Sequence, residues 1–334
     1  MLAKAGRALD AALDATVLLS YPRLGYTLRR PFWHAQDLAV DMAGMHILIT
    51  GGNAGLGYAA AAGLARLGAT LHLLARSPER GEQARQRLIA AAADRVHLHV
   101  VDVSDLDSVR GFAADFLAAG HPLDVLIHNA GVLLPHRQTS AQGIELTWAT
   151  NVIGPFLLTA LLQPRLIASA PARVIFVSSG GMYTQRLDLS DWAGTRGAFD
   201  GVRAYAQTKR AQVILSELWA ERLAGQGVSV NAMHPGWADT PGLSVSLPRF
   251  HRLLKPALRT PAQGADTLIW LAAAPHLQTE TGRFWFDRRA RPTHKLARTH
   301  SPAGDRALLW QLCCEQSGLT SHPLSFSPRS GGSS

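Results

Sequence analysis

Cysteine is nearly absent from this chain: its 334 residues include two, adjacent at Cys313 and Cys314. Neighbouring cysteines build no disulfide framework, and such sparse use fits a reducing, cytoplasmic compartment. Zinc-ligand spacing is missing as well, so no metal is expected. No apolar run reaches the length that spans a bilayer. Acidic residues are outnumbered, 24 against 33 lysines and arginines, for a formal charge of +9. That excess alone would suggest nucleic acid, but the arginines are scattered and no RNP-like or helix-turn-helix signature accompanies them. No nucleic-acid partner is therefore expected, and the basic surface suits phosphate-rich cofactors instead. The first twenty residues, MLAKAGRALDAALDATVLLS, open like a signal peptide, yet Asp10 and Asp14 interrupt the apolar stretch and argue against secretion.

What is present is a chain 47% hydrophobic, enough for one large domain with tails and no covalent staples. Leu2, Leu9, Leu13 and Val17 recur at helical spacing, and YPRLGYTLRRPFW mixes aromatics with arginines. Two readings of this extension, residues 1–44, stand side by side: a helix packed on its own domain, or a peripheral membrane anchor.

From Met45 onward, short β-rich runs alternate with longer helical stretches. MHILIT, TLHLLA, VHLHVV, PLDVLIH, ARVIFVS and VSVNAM are spaced by one helix each, and GRFWF adds a shorter last strand. The pattern predicts an α/β fold: a doubly wound parallel sheet of Rossmann type over residues 45–287, a single domain with N- and C-terminal extensions. A helix is predicted from Tyr205 to Leu223, after an irregular insertion over 180–203. Residues 241–259, PGLSVSLPRFHRLLKPALR, occupy the place of a substrate lid. Residues 288–334 read as a basic extension with a short helix opened by Ser301 and Pro302, then a disordered tail, SHPLSFSPRSGGSS.

Directly after the first strand comes TGGNAGLG, Thr50 to Gly57. Gly51, Gly55 and Gly57 let the backbone turn tightly and approach a pyrophosphate at the next helix N-terminus. A glycine cluster alone could be only a structural turn. Its place between a strand and an alanine-rich helix is the context a dinucleotide site requires. At the end of the second strand, where NAD enzymes carry an acid for the ribose hydroxyls, this chain has Ala75 and Arg76. Arg76 suits a 2′-phosphate, so NADP(H) is expected over NAD(H), with Asn53 adding a hydrogen bond. The alternative is a solvated residue at a helix start.

Asp102-Val103, His128-Asn129-Ala130-Gly131, Val177-Ser178-Ser179, Tyr205-Ala-Gln-Thr-Lys209, Asn151 and HPGWADT at 234–240 follow in order. This ordered set resembles the short-chain dehydrogenase/reductases over about residues 45–287, and the long separation of Ser179 from Tyr205 resembles the retinol-dehydrogenase-like branch. The resemblance implies an oxidoreductase moving a hydride between a nicotinamide and an organic carbonyl or alcohol. It implies a catalytic set of Asn151, Ser179, Tyr205 and Lys209, with Ser178 as the fallback serine. Asp102 and Val103 would meet the adenine, and Asn129, Ala130 and Gly131 would close over the adenosine. Thr50, Gly51, Asn53, Gly55, Leu56 and Gly57 would form the phosphate loop. Pro235, Gly236 and Thr240 would hold the nicotinamide, Thr240 through its carboxamide. The family's usual asparagine before Asn129 is here His128.

Physical chemistry supports those roles. An unperturbed tyrosine titrates near pH ~10, but Lys209 lies one helical turn beyond Tyr205, so its charge would favour the phenolate while its ammonium binds the nicotinamide ribose. Tyr205 is then proton donor for reduction and acceptor for oxidation, and Ser179 stabilises charge on the substrate oxygen. Asn151 is expected to hold a water linking Lys209 to solvent. Tyr183, with Leu187 and no lysine four residues on, is read as a pocket wall. The lid carries Leu243, Val245, Leu247, Phe250, Leu253 and Leu254 with basic residues between, a surface for a lipophilic carbonyl or alcohol substrate, though also that of an ordinary amphipathic helix or membrane flap. A homodimer through the helices beginning near Asn151 and Tyr205 is the expected assembly, unless the insertion and tails cover that face. The other function class is a non-catalytic NADPH-binding sensor or scaffold, which the intact set of four residues argues against.

Overall fold

The computed structural model describes residues 2–92 and 95–319; the SHPLSFSPRSGGSS tail lies outside them. Three helices precede the sheet: α1 (Leu2–Asp14), α2 (Val17–Ser20) and α3 (Arg23–Arg29). The leucine spacing carries α1 only to Asp14. Thr16 then starts α2, its hydroxyl accepting from the Leu19 amide at 3.3 Å, and Val17 is left exposed.

The main domain runs β1 (His46–Thr50), α4 (Gly55–Arg66), β2 (Thr70–Ala75), α5 (Pro78–Ala92), β3 (Val96–Val100), α6 (Leu106–Ala118) and β4 (Val125–His128). It continues α7 (Leu146–Trp148), α8 (Gly154–Ala168), β5 (Ala172–Val177), α9 (Gly201–Arg222) and β6 (Val228–Met233). Last come α10 (Pro241–Ser246), α11 (Pro248–Leu254), α12 (Pro261–Ala273), β7 (Phe284–Phe286), β8 (Arg289–Arg291) and α13 (Ala303–Gln316). The eight strands form one sheet in the order β3-β2-β1-β4-β5-β6-β7-β8, parallel except for β8. Alternate residues of each central strand feed two cores. Leu48, Leu126 and Val174 pack toward α6, α8 and α9, while Ile47, Ile127 and Ile175 pack toward α4 and α12. Strand order reverses between β1 and β4, and this switch point opens a crevice at the carboxyl ends of the strands.

Several expectations change. The chain does not become irregular after Arg288, because Phe284 to Phe286 pair back antiparallel with Arg289 to Arg291, so the boundary at 287 falls inside a hairpin. Asp287 and Arg288, the two turn residues, have φ of 49° and 56°, the mirror-type turn that a two-residue hairpin requires. Helix α9 begins at Gly201 rather than Tyr205, because Asp200 caps it by accepting from the Val202 and Arg203 amides. The 241–259 segment is two short helices, with Val245 and Leu253 about 80% exposed (81% and 80%). The C-terminal helix is 14 residues, longer than the short helix expected. A stretch long and apolar enough to cross a membrane does exist within the helix over Leu146–Ala168, but 67% of its apolar 18-residue window is buried as core.

The N-terminal extension packs on the domain through buried charge. Asp287 accepts Arg259 at 2.6 and 2.9 Å and Arg29 at 2.9 Å, while Asp10 accepts Arg29 at 2.7 Å and Arg291 at 2.6 Å. Burial opposes ionisation of Asp10, but the hydrogen bonds from Arg291 and Arg29 outweigh it and hold its carboxyl down to about 2. At the other end, α13 lays Trp310 against Phe156 of α8 and Trp219 of α9, and Arg306 pairs with Glu217 and Glu221.

Away from the crevice's glycine loop, five imidazoles crowd one face of the sheet edge: His46, His72, His97, His99 and His121. His72 is fully buried, bonded to His46 at 3.0 Å and His99 at 3.1 Å, and ringed by Phe116. Burial, then the neighbouring imidazoles, pull it from 6.5 down to about 2. Burial alone pulls His128 down to about 3; its Nε2–H meets Thr159, whose own proton goes to the Pro155 carbonyl. Both rings must stay neutral in the fold while the unfolded chain takes up protons, so stability is full above about pH 6.5 and is lost as pH falls. At pH 5 each such ring costs roughly 2 kcal/mol. Urea unfolding between pH 7.5 and 5 should therefore show a loss of stability that is smaller by roughly 2 kcal/mol in His72→Leu. An unchanged slope in that variant would contradict the assignment.

Candidate active site

The cofactor end of the crevice is built on the lock between β1 and β4. The Thr50 hydroxyl accepts the amides of Asn129 and Ala130, both at 3.0 Å, and Asn129 Nδ2 donates to the carbonyls of Thr50 at 3.0 Å and Gly51 at 3.1 Å. Gly51 and Gly55 take φ of +66° and +53°, and a Cβ on Gly57 would lie 2.3 Å from the Gly51 carbonyl oxygen, so only glycine fits there. Asn53 lies in the loop and Leu56 is buried behind it. Helix α4 has no side-chain cap at Ala54, so its first amides are left for an anion. Asp102 accepts the Ser104 amide at 2.9 Å, and its other oxygen is 3.9 Å from the guanidinium of Arg76, which is 72% exposed at the crevice edge. The Val103 carbonyl presses on Gly154, where a Cβ would approach to 1.9 Å, fixing the β3 end against α8. His128 points the opposite way, into the core against Phe176 and Thr159.

The reactive end joins β5, α9 and the turn before α8. A π turn over Ala149–Ile153 carries Asn151. Its Oδ1 accepts the Val132 amide at 2.9 Å, and its Nδ2 donates to the Val132 carbonyl at 3.1 Å and Thr208 Oγ1 at 2.9 Å. The two serines separate cleanly. Ser178 is buried and donates to the Lys209 carbonyl at 2.9 Å, while half-buried Ser179 opens the following turn, its hydroxyl accepting the Gly181 amide at 3.2 Å. Lys209 is buried, with Nζ donating to the Val177 carbonyl at 2.9 Å and Gln212 Oε1 at 3.0 Å, and 5.4 Å from the Tyr205 ring centre. A Cβ on Gly131 would lie 3.3 Å from both Lys209 Nζ and Asn151 Oδ1, so the cofactor loop and the reactive groups share one small space.

Burial pulls Lys209 down to about 7, and burial raises Tyr205 while the Ser179 hydrogen bond opposes that rise. Burial thus outweighs the lowering of Tyr205 expected from Lys209, whose ammonium is costly to keep charged here and spends two of its donors on Val177 and Gln212. Between Lys209 and Asn151 stands Gln212, whose Nε2 donates to the Asn151 carbonyl at 2.7 Å. Tyr183 is not a pocket wall. It is buried in the core and donates to the Pro292 carbonyl at 2.7 Å.

The Pro235–Thr240 loop, expected to hold the nicotinamide, is held from behind. Gly236, at φ +73°, leaves room for Arg259, whose Nε would be 2.6 Å from a Cβ there, and Arg259 also reaches the Pro235 carbonyl at 3.5 Å. Thr240 caps α10, accepting the Leu243 amide at 3.2 Å, and lies over Gly55. Residues 241–259 are tied to the domain: Ser246 donates to the Leu133 carbonyl at 2.8 Å, His251 meets Asp239 at 2.8 Å, and Phe250 packs edge-on to Trp237 at 5.2 Å. Sequence reasoning missed Tyr21. Its ring packs on His234, Trp237 and Phe286 beside Gly180, and its carbonyl accepts the Trp237 amide at 3.0 Å and Arg259 Nε at 2.8 Å. No local pattern could have placed a residue more than 200 positions from its partners.

A family model described as short chain dehydrogenase matches residues 45–247. The chain belongs to the short-chain dehydrogenase/reductase family, oxidoreductases of a Rossmann-type fold that bind NAD(P) and act on alcohol and carbonyl groups. Within it, the chain is 43% identical over 304 residues to dehydrogenase/reductase SDR family member 12 of Bos taurus, covering 90% of this chain and 95% of that one. It is 36% identical over 283 residues to retinol dehydrogenase 12 of Bos taurus, covering 84% of this chain and 88% of that one. Among solved structures it is similar to the RhlG/NADP active-site complex of Pseudomonas aeruginosa, with a TM-score of 0.61 and 26% identity over 75% of this chain and 96% of that one.

Proposed function

We propose that this chain is an NADP(H)-dependent reductase or dehydrogenase of lipophilic carbonyls and alcohols, working through Tyr205, Lys209, Ser179 and Asn151. The observation that carries the reading is the small space that Gly131, Lys209 and Asn151 enclose, with the Tyr205 ring 5.4 Å from Lys209 Nζ and Ser179 in the turn after β5. The uncapped start of α4 and the close-packed glycine loop fit a pyrophosphate, and Arg76, with no acid at the end of β2, fits a 2′-phosphate. Bound there, the nicotinamide would supply or accept the hydride.

The chain's own residues handle the oxygen and the proton. Ser179 donates to the substrate oxygen and stabilises the charge that develops on it. In reduction the Tyr205 hydroxyl gives its proton to that oxygen, and in oxidation the phenolate takes it back. Lys209 stabilises the phenolate as an ammonium and offers its remaining donor to the ribose, while Asn151 fixes the Val132 backbone beside it. The apolar lid side chains, with Val245 and Leu253 exposed, suit a lipophilic substrate. We read the protein as cytoplasmic with a peripheral membrane contact, supported by exposed Leu18, Leu19, Leu24, Leu28 and Phe32 interleaved with exposed Arg23 and Arg30. Because α13 covers part of α8 and α9, a homodimer through those helices is not favoured.

Tyr205→Phe removes the transferable proton and keeps the ring, so NADPH-dependent turnover with lipophilic aldehydes should fall at least about a hundredfold with NADPH affinity nearly unchanged. Near-normal turnover would sink the assignment. Arg76→Asp deletes one charge-assisted contact, so NADPH should bind about 10–150-fold more weakly and NADH better than in the parent, by paired titrations at one ionic strength. Equal binding of both cofactors to the parent, unmoved by the mutation, would leave Arg76 a solvated residue and remove the NADP(H) preference.

A further inference from the structure

We propose that Gln212 is the positioning residue for Lys209, its side-chain amide bridging the ammonium to the Asn151 carbonyl. The inference rests on the catalytic reading of Lys209 given above and extends the site by one residue beyond the Tyr205–Lys209 pair. Lys209 Nζ donates to Gln212 Oε1 at 3.0 Å, Gln212 Nε2 donates to the Asn151 carbonyl at 2.7 Å, and all three residues are buried. The orientation of the amide is determined by its partners: a flip would turn an NH2 toward the ammonium and an oxygen toward a carbonyl, losing both bonds. Position 212 is three residues beyond 209 on α9, so the two side chains share one face of the helix.

The bridge completes a count of donors. An ammonium has three N–H groups. One meets the Val177 carbonyl at 2.9 Å, one meets Gln212, and the third is left for the crevice, where a Cβ on Gly131 would lie 3.3 Å from Nζ. Without Gln212 the lysine has one carbonyl holding it and a second donor unsatisfied in a buried site. The groups facing it are neutral from every element packed there: Asn151 before α8, Ser178 and the Val177 carbonyl of β5, and Tyr205 on α9. Burial is what lowers Lys209, so the acceptors around it decide whether it is charged at neutral pH. An amide does not pass protons as a water does, so the bridge anchors Lys209 rather than relaying through it.

The test uses the full chain labelled with 13C at lysine Cε, without cofactor. Lys4, Lys209, Lys255 and Lys295 are its lysines, and Lys209→Arg assigns the resonance. Gln212→Met removes the acceptor at similar volume, so the Lys209 midpoint should fall by about one unit. Gln212→Glu places a carboxylate there, so the midpoint should rise. The alkaline limb of kcat should move the same way in each variant, and kcat of Gln212→Met at pH 7.5 should drop about tenfold. Midpoints and pH profiles equal to the parent's in both variants, whatever their stability, would overturn the proposal. A parent that never oxidises NADPH would remove the catalytic reading, and the cofactor-free titration would still decide the bridge.

Discussion

The site depends on a reciprocal tie between β5 and α9. The Ser178 hydroxyl donates a hydrogen bond to the Lys209 carbonyl, and the Lys209 ammonium donates one to the Val177 carbonyl, each at 2.9 Å and each buried. A helix crossing a parallel sheet could rotate about its axis and still bury its apolar stripe. These two bonds fix that rotation, because sliding or turning α9 by one residue would strand both. Once they are made, Tyr205 is one turn back and faces Ser179, the residue after Ser178. The serine beside the tyrosine is available for a substrate because its neighbour is already spent.

The same economy governs the loop around Gly236, where the domain alone is not self-sufficient. Gly236 has Arg259 behind it, and that arginine is neutralised by Asp287 in the β7–β8 turn and capped by the carbonyls of Ser20 and Tyr21 from the N-terminal extension. Arg29 of the extension shares the same carboxylate at 2.9 Å. Removing the extension would leave Arg259 and Asp287 exposed to rearrangement next to the loop proposed to receive the nicotinamide, so the extension is part of the site's scaffold. Such buried pairs gain little net stability over apolar packing, but they penalise any geometry that leaves one charge alone.

The parallel sheet and its first six strands were legible because continuous apolar runs, buried on both faces, and helical spacing are local properties. The glycine loop and the Tyr205-to-Lys209 spacing were legible for the same reason, each lying within one strand–turn–helix or one helical turn. The β7–β8 hairpin was not, because its turn residues, Asp287 and Arg288, carry none of the usual glycine or asparagine signal and are held by ion pairs with distant arginines and with Asp266. Nor was the early start of α9, decided by Asp200 as a cap inside a stretch that reads as irregular. Tyr21, Arg259 and Gln212 were missed for different reasons: the first two act across more than 200 residues, while Gln212 carries the i, i+3 spacing to Lys209 that a closer reading of α9 could have noticed.

The account's central claim is that the crevice moves a hydride between nicotinamide and a carbonyl carbon, with the proton supplied by the protein. NADPH stereospecifically deuterated at either face of C4 can be incubated with the purified chain and a panel of lipophilic aldehydes and ketones, and the alcohols read by mass spectrometry. The account predicts one deuterium on the carbinol carbon from one face only, with the hydroxyl proton exchanging with solvent. NADPH that binds the parent protein but delivers deuterium to no carbonyl in the panel, from either face, would contradict it.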